Sequence, residues 1–464
     1  MNPEFRRNVW LELSTRRLMT MTAVLVLIFF AAALSGSAWT PPATAIFLYY
    51  FIVVVWGARN AALSVVGEIR DRTWDFQRLS SLGAGEMTWG KLFGSTIFNW
   101  YGGALCLIVI LAYRLVHEGP LAALLGLIYF IVIGLIAQSV ALLASLLAAM
   151  RRQTHTRLEV FTYQMAGLIA ALIAYDVWQM ADPAGTLVSH AKPTEIIPWW
   201  GLQMNARAFL LLSLAIFAGW TLLGCYRAMR LELKMQNGPY VWLAFLAFMG
   251  VYVAGFDAWM PHTAVTYAGD FAALRLMLAA MTYAIITYVM VLLEPKDRVL
   301  YRWLGSEFSQ GRILSAARGL QGWMMSYKAF FLVTVVLIGW LLHYQSAPPT
   351  PLIGSQALSA ATFVGAAAGF LTRDMAIFIL LQTLPGRRRG DFAALVALFA
   401  LYVLMPSIVD GLGLKPALVL FYPQVSTPLW LSPAVAWAEA LLIAGLAIAR
   451  IAMGVKREAA VAAA

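Results

Sequence analysis

The feature that most constrains this chain is a series of long apolar runs separated only by short, basic loops. Twelve can be read, at 18–35, 43–66, 92–113, 121–149, 159–177, 205–225, 240–256, 271–293, 328–344, 357–384, 391–411 and 433–452. A helix needs about 20 residues to cross a hydrocarbon core of about 30 Å. The runs at 240–256 and 328–344 sit near the short limit. Backbone polar groups find no water in lipid, so these runs are expected as helices. Strict apolar–polar alternation is missing, which sets aside a transmembrane barrel. The first run begins near Leu18 with no clear small-residue cleavage site after it, so it reads as a retained span.

Composition agrees with this division. The 464 residues are 62% hydrophobic and 12% charged, against roughly 45–50% and 25% in soluble domains. A soluble enzyme, a disordered protein and a secreted disulfide scaffold are excluded. Cys106 and Cys225 lie in apolar runs and form no CxxC pair. The net charge of +11 points to loop topology and not to nucleic acid. Twenty-six of the 33 Lys and Arg fall in the termini and alternate loops, and only Arg114, Lys192, Arg207 and Lys415 fall in the opposite loops. The remaining three, Arg59, Arg275 and Arg373, lie inside apolar runs. By the positive-inside rule both termini are expected in the cytoplasm, with the chain in the cytoplasmic (inner) membrane. The two longest opposite loops, 178–204 and 412–432, are rich in Pro and aromatic residues, as interfacial segments are.

Four local patterns recur in the same order. Leu11-Glu12-Leu13-Ser14 is followed by Leu231-Glu232-Leu233-Lys234, and Glu68-Ile69-Arg70-Asp71-Arg72 by Glu294-Pro295-Lys296-Asp297-Arg298. Arg151-Arg152 is matched by Arg387-Arg388-Arg389, and Lys192-Pro193 by Lys415-Pro416. The expected fold is an all-α polytopic membrane protein. It has about 12 transmembrane helices in two parallel six-helix repeats, residues 1–230 and 231–464, with short amphipathic helices in the cytoplasmic loops.

The loop GEIRDRTWDFQRLSSLGAGEMTWGK, from Gly67 to Lys91, is too charged to span. As one helix it would bring Ile69, Phe76 and Leu79 or Leu82 near one face, suited to the membrane surface or to a partner. An acidic–basic cluster after the second span, a short helix, a Leu-Gly turn and a Gly-Lys entering the third span resemble the permease subunits of type-2 ABC exporters. The segment from Asn2 to Glu12 is similar to that family's interfacial elbow helix. The resemblance implies two separate ATPase subunits docked beneath the chain. Glu68, Arg70, Asp71, Arg72, Trp74, Phe76 and Leu79 would form one coupling contact. Glu294, Asp297 and Arg298, at the start of the 294–328 loop, would form the other. ATP and magnesium would then belong to the partner, with no cofactor, metal or catalytic residue in this chain. One phosphate-loop look-alike, Gly85 to Lys91, is followed by Leu92 where a Ser or Thr hydroxyl is needed, and no strand precedes it.

Ionisable groups inside apolar runs are functional candidates. Arg59 lies about two turns from a span end and suits snorkelling to the headgroups. Arg373 and Asp374 lie mid-run, with Asp176, Glu439 and Arg275 as candidate partners. Asn99, Gln138 and Gln382 are candidates for hydrogen bonds between helices. No HExxH, Cys/His metal spacing or GxSxG occurs. An ATP-driven export permease for a lipophilic substrate is the leading expectation. An ion-coupled transporter using Arg373, Asp374, Asp176 and Glu439 as a charge relay is the alternative.

Overall fold

Eleven helices are long and apolar enough to cross a bilayer among the residues described. The computed structural model describes residues 2–150, 157–182, 195–235, 237–256, 268–294, 296, 298–345, 357–382, 390–425 and 428–463. The chain divides into two compact units. The first is Met1–Pro198 with Leu202–Asn237, and the second is Trp199–Gly201 with Gly238–Ala464.

The first unit begins with α1 (Pro3–Glu12), whose N-terminal N–H groups are capped by the Asn2 side chain. The first span, α2 (Thr15–Ala33), starts on a Ser14 cap. The second runs through α3 (Thr40–Tyr49), a π-helical stretch Tyr50–Trp56 and α4 (Gly57–Arg70). A short helix α5 (Trp74–Arg78) precedes the third span, built from α6 (Ala84–Trp89), a π turn Gly90–Gly94 and α7 (Ser95–His117). Then follow α8 (Pro120–Ala149), α9 (Arg157–Gln179), a hairpin of β1 (Ile196–Trp199) and β2 (Leu202–Asn205), and α10 (Ala206–Glu232). The hairpin modifies the all-helical expectation in part of the 178–204 loop.

The second unit holds α11 (Tyr240–Ala254), α12 (Ala268–Leu293), α13 (Arg298–Ser309), α14 (Ile313–Arg318), α15 (Gly322–Gln345) and α16 (Ala357–Gln382). After these come α17 (Gly390–Phe399), a π stretch Ala400–Leu404, α18 (Met405–Gly411), a 3-10 turn Lys415–Leu420 and α19 (Leu431–Ala463). The run expected as the seventh span forms only the 15-residue α11. At 1.5 Å per residue that is about 22 Å, short of the hydrocarbon core.

In the first unit α8 is the most buried span and packs along α4, α9 and α10, while α3 packs along α7. In the second unit α16 is the most buried and packs along α19, while α12 packs along α15. Small residues permit these approaches: a Cβ on Gly369 of α16 would lie 2.8 Å from the Ala436 Cβ of α19. The cores are apolar, with Tyr49, Phe130, Ile133 and Trp178 in the first and Tyr283, Phe330, Leu371 and Phe378 in the second.

Candidate functional site

Besides a buried Arg114–Asp182 ion pair at 2.6 Å near the C-terminal end of α7, chemistry-bearing side chains gather in three places. The first is the end of the first unit that carries α1, α5 and α6. The chain leaves α4 at Arg70, turns through Asp71 and through Arg72 at φ 59, and enters α5. The turn separates Ile69 from the residues expected on its face. Trp74 is buried and donates from Nε1 to the Glu232 carboxylate at 3.3 Å. Leu82 packs into the same local core as Trp74. Phe76 and Leu79 point outward, 77% and 85% exposed. The expected single amphipathic face is thus replaced by an inward Trp and an outward Phe–Leu pair, because a five-residue helix cannot carry the longer periodicity.

Beneath this turn lies a closed ion network. Lys91 is 1% exposed and Glu4 is 4% exposed. The Lys91 ammonium meets the Glu4 carboxylate at 3.0 Å and also contacts Glu68. Arg7 donates to both carboxylates, at 3.0 Å to Glu4 and 2.7 Å to Glu68. Gln77 of α5 donates to Glu68, and the Trp74 ring lies 5.7 Å from the Lys91 nitrogen. Two cations face two carboxylates, so the network is neutral, as buried charges require. Gly90 makes it possible: a Cβ there would lie 2.6 Å from Glu4 Cγ and 3.0 Å from the Phe5 nitrogen. The Gly-Lys of the phosphate-loop look-alike thus seats a helix and closes an ion pair. Arg70 and Asp71 are largely exposed, and Arg72 is exposed on the turn.

The equivalent stretch of the second unit is built differently. Glu294 follows α12 and accepts the backbone N–H groups of Gly322 and Trp323, at 2.9 and 3.1 Å, at the start of α15. Burial pushes its carboxyl up from the ordinary range, and the two N–H groups pull against that shift. Trp242 Nε1 donates to the Gly322 carbonyl beside it at 3.0 Å. Asp297 and the side chain of Arg298 lie outside the described residues. The amphipathic α13 buries Leu304, and Val299, Ile313 and Leu314 are exposed.

The third gathering is inside the spans. In the first unit, the π stretch Tyr50–Trp56 interrupts the i→i−4 ladder and offers carbonyls. Asn99 of α7 donates to the Ile52 carbonyl at 2.9 Å, Gln138 of α8 to Val53 at 3.0 Å and Gln164 of α9 to Val55 at 3.0 Å. Asn60 and Trp100 complete the set, donating to the Asn99 and Gln138 oxygens at 2.9 Å each. In the second unit the polar centre is charged. Arg373 and Asp374 of α16 are 1% and 0% exposed. The guanidinium meets Glu439 of α19 at 2.8 Å, Asp374 at 3.2 Å and the Leu420 carbonyl at 3.2 Å. Tyr288 of α12 and Tyr402, in the π stretch Ala400–Leu404, donate to the same Asp374 oxygen at 2.6 and 2.7 Å. The Phe370 ring lies 4.5 Å from the guanidinium carbon.

No family model, characterised protein or solved structure matches this chain. The arrangement of its own side chains is the ground for a functional reading. Of the expected partners of Arg373, Glu439 is the one it meets. Asp176 is exposed on α9 in the first unit, and Arg275 stacks on Trp200 at 4.4 Å. Arg59 is exposed on α4, as snorkelling requires. The Gln382 carbonyl oxygen is buried with no hydrogen bond among the described residues. Sequence reading missed Glu4, Gln164, Tyr288 and Tyr402. A Glu among the charges of the N-terminal segment, and hydroxyls on distant helices that meet an intramembrane Asp 86 and 28 residues away, give no periodic signal. Among the described residues no three His, Cys, Asp or Glu side chains gather as a metal site. The protein is a multi-pass helical membrane protein with an outward apolar pair on a braced turn of the first unit and a buried charged centre within the spans of the second.

Proposed function

We propose that this chain is the permease of an ATP-driven export system of the type-2 ABC kind, moved by separate ATPase subunits. The observation that carries this reading is α5. Its Phe76 and Leu79 are presented outward, while Trp74, Gln77 and the Glu68–Lys91–Glu4 network tie the same turn to the roots of the second and third spans. A push on Phe76 and Leu79 would reach two spans through ion pairs and not through a slack loop. Exposed apolar anchors of this kind often dominate an interface. Arg70 and Arg72 would form a polar rim around them.

The same pattern of packing supports a two-half design. In each unit the fourth helix is the most buried and packs along the sixth, and the second packs along the third. In this reading Glu294, Asp297, Arg298 and the exposed apolar residues of α13 and α14 belong to a second ATPase contact. Both termini are cytoplasmic if α11 crosses the membrane, which requires local bilayer thinning. The substrate is lipophilic, and the chain performs no hydrolysis itself.

The test is co-purification. Tagged full-length chain should bring down an ABC ATPase, and the Phe76→Asp/Leu79→Asp double variant should release it at least about thirtyfold, as the loss of roughly 2 kcal/mol predicts. A chain that transports without an ATPase, and stops on addition of an ionophore, would overturn the reading. That outcome would favour ion coupling through Arg373, Asp374 and Glu439, and the burial of Arg373 and Asp374 within the spans is the observation on the side of this second reading.

A further inference from the structure

A cavity of about 1010 Å³ lies in the first unit, with the first span on one side and the second and third on the other. Its three walls grade in the same sense. Along α2 the lining passes from Arg16 to Val24, along the second span from Asp71 back to Trp56, and along the third from Lys91 to Phe98. At 1.5 Å per residue, these gradients run over about 10–22 Å from charged to apolar. A polar end and an apolar end, aligned along the helices that cross the bilayer, match an amphiphile standing parallel to the lipids.

The charges at the polar end identify the headgroup. Arg16, Arg17 and Lys91 line it, and so do Glu12, Glu68 and Asp71. The signs balance. Lys91 is consumed by Glu68 and Glu4, and Arg17 pairs with Glu12 at 3.1 Å. Arg16 is exposed and has no ion pair among the described residues, and Asp71 is 68% exposed beside Arg70 at 3.9 Å. One unpaired guanidinium and one exposed carboxylate suit a headgroup that carries a phosphate and a primary ammonium, whose N–H groups can donate to a carboxylate where a quaternary ammonium has none. A purely anionic headgroup would have to face the carboxylates. Leu25 is the buried residue of the first span, so this wall leaves a lipid room to enter from the side.

We infer that this cleft binds a phospholipid of the phosphatidylethanolamine class from the leaflet on the α1 side. Its phosphate lies on Arg16, its ammonium on Asp71, and its acyl chains lie against Met21, Val24, Trp56 and Phe98. Basic pockets between spans are known headgroup sites, and burial of the acyl chains supplies the apolar part of the affinity. The site is a property of the membrane-spanning fold and does not rest on an ATPase partner.

The experiment uses the full-length chain in nanodiscs made of equal parts phosphatidylethanolamine, phosphatidylcholine and phosphatidylglycerol, moved into mild detergent for native mass spectrometry. The wild-type chain should retain at least one phosphatidylethanolamine. Arg16→Glu, which changes an exposed side chain, should lower that retention about tenfold. Met21→Trp, which fills the apolar part, should do the same. Arg6→Glu, exposed on α1 outside the cleft, should leave it unchanged. Equal retention of phosphatidylglycerol or phosphatidylcholine would overturn the inference. So would the absence of any retained lipid, or wild-type retention in both cleft variants.

Discussion

The two units place their charges at opposite levels. In the first, the buried ions sit at the ends of the spans, Lys91 with Glu4 and Glu68 at one end and Arg114 with Asp182 near the C-terminal end of α7, and the middle of the spans is held by neutral amides. In the second, the corresponding root is closed by Glu294 capping α15, and the ions lie mid-span at Arg373, Asp374 and Glu439. The cost of a charge rises steeply with its distance from water. A root network is therefore an inexpensive brace, and a mid-span network is an expensive one retained for a reason. The contrast separates a unit whose buried ions brace the span ends from a unit whose buried ions lie within the spans.

Four substitutions would break or sharpen this contrast. The largest effect belongs to Arg373→Met, which strands two carboxylates inside the second unit and should cost about 3–5 kcal/mol. It would be read as a drop in thermal midpoint of the detergent-solubilised chain. Lys91→Met removes the cation shared by Glu4 and Glu68. Arg7 remains to both carboxylates, so the loss should be smaller, about 2–3 kcal/mol. A Lys91→Met loss equal to that of Arg373→Met would erase the difference in level between the two networks.

Gln138→Leu deletes the donor to the Val53 carbonyl and the acceptor for Trp100 and should cost about 1–3 kcal/mol. Amide exchange within the π stretch Tyr50–Trp56 should rise with it, and a silent variant would mean that the first unit's middle does not depend on its amides. The smallest effect is expected from Glu294→Gln, about 1 kcal/mol for a weakened helix cap. Its pH dependence carries the sign. The folded carboxyl is raised above its ordinary value of 4.5, so its contribution is complete below that value and fades as pH rises through the folded one. The wild-type midpoint should fall relative to Glu294→Gln across that window, and identical profiles would sever Glu294 from the linkage.

The spans were legible because transfer into lipid is a sum over neighbouring residues, and length alone decides most of the count. The seventh run reads as apolar enough, yet Pro239 precedes α11 and Gly255 follows it, so the helix stops at 15 residues. Asn99 and Gln138 were legible as bonding groups, since an amide in lipid must find a partner. That their partners are carbonyls opened by a π stretch was not. The periodicity of Phe76 and Leu79 was visible, and their direction was not.

The sequence by itself determined that this is a helical membrane protein, where its apolar helices fall and which ionisable groups lie inside them. These follow from local hydropathy and the obligation of the backbone to bond to itself. Only the tertiary structure decided that Lys91 meets Glu4, 87 residues earlier in the chain, that Asp374 is held by Tyr288 and Tyr402, and that Trp74 turns in while Phe76 turns out. Those pairings depend on which helix faces approach within hydrogen-bonding distance, and no local pattern encodes a distant neighbour.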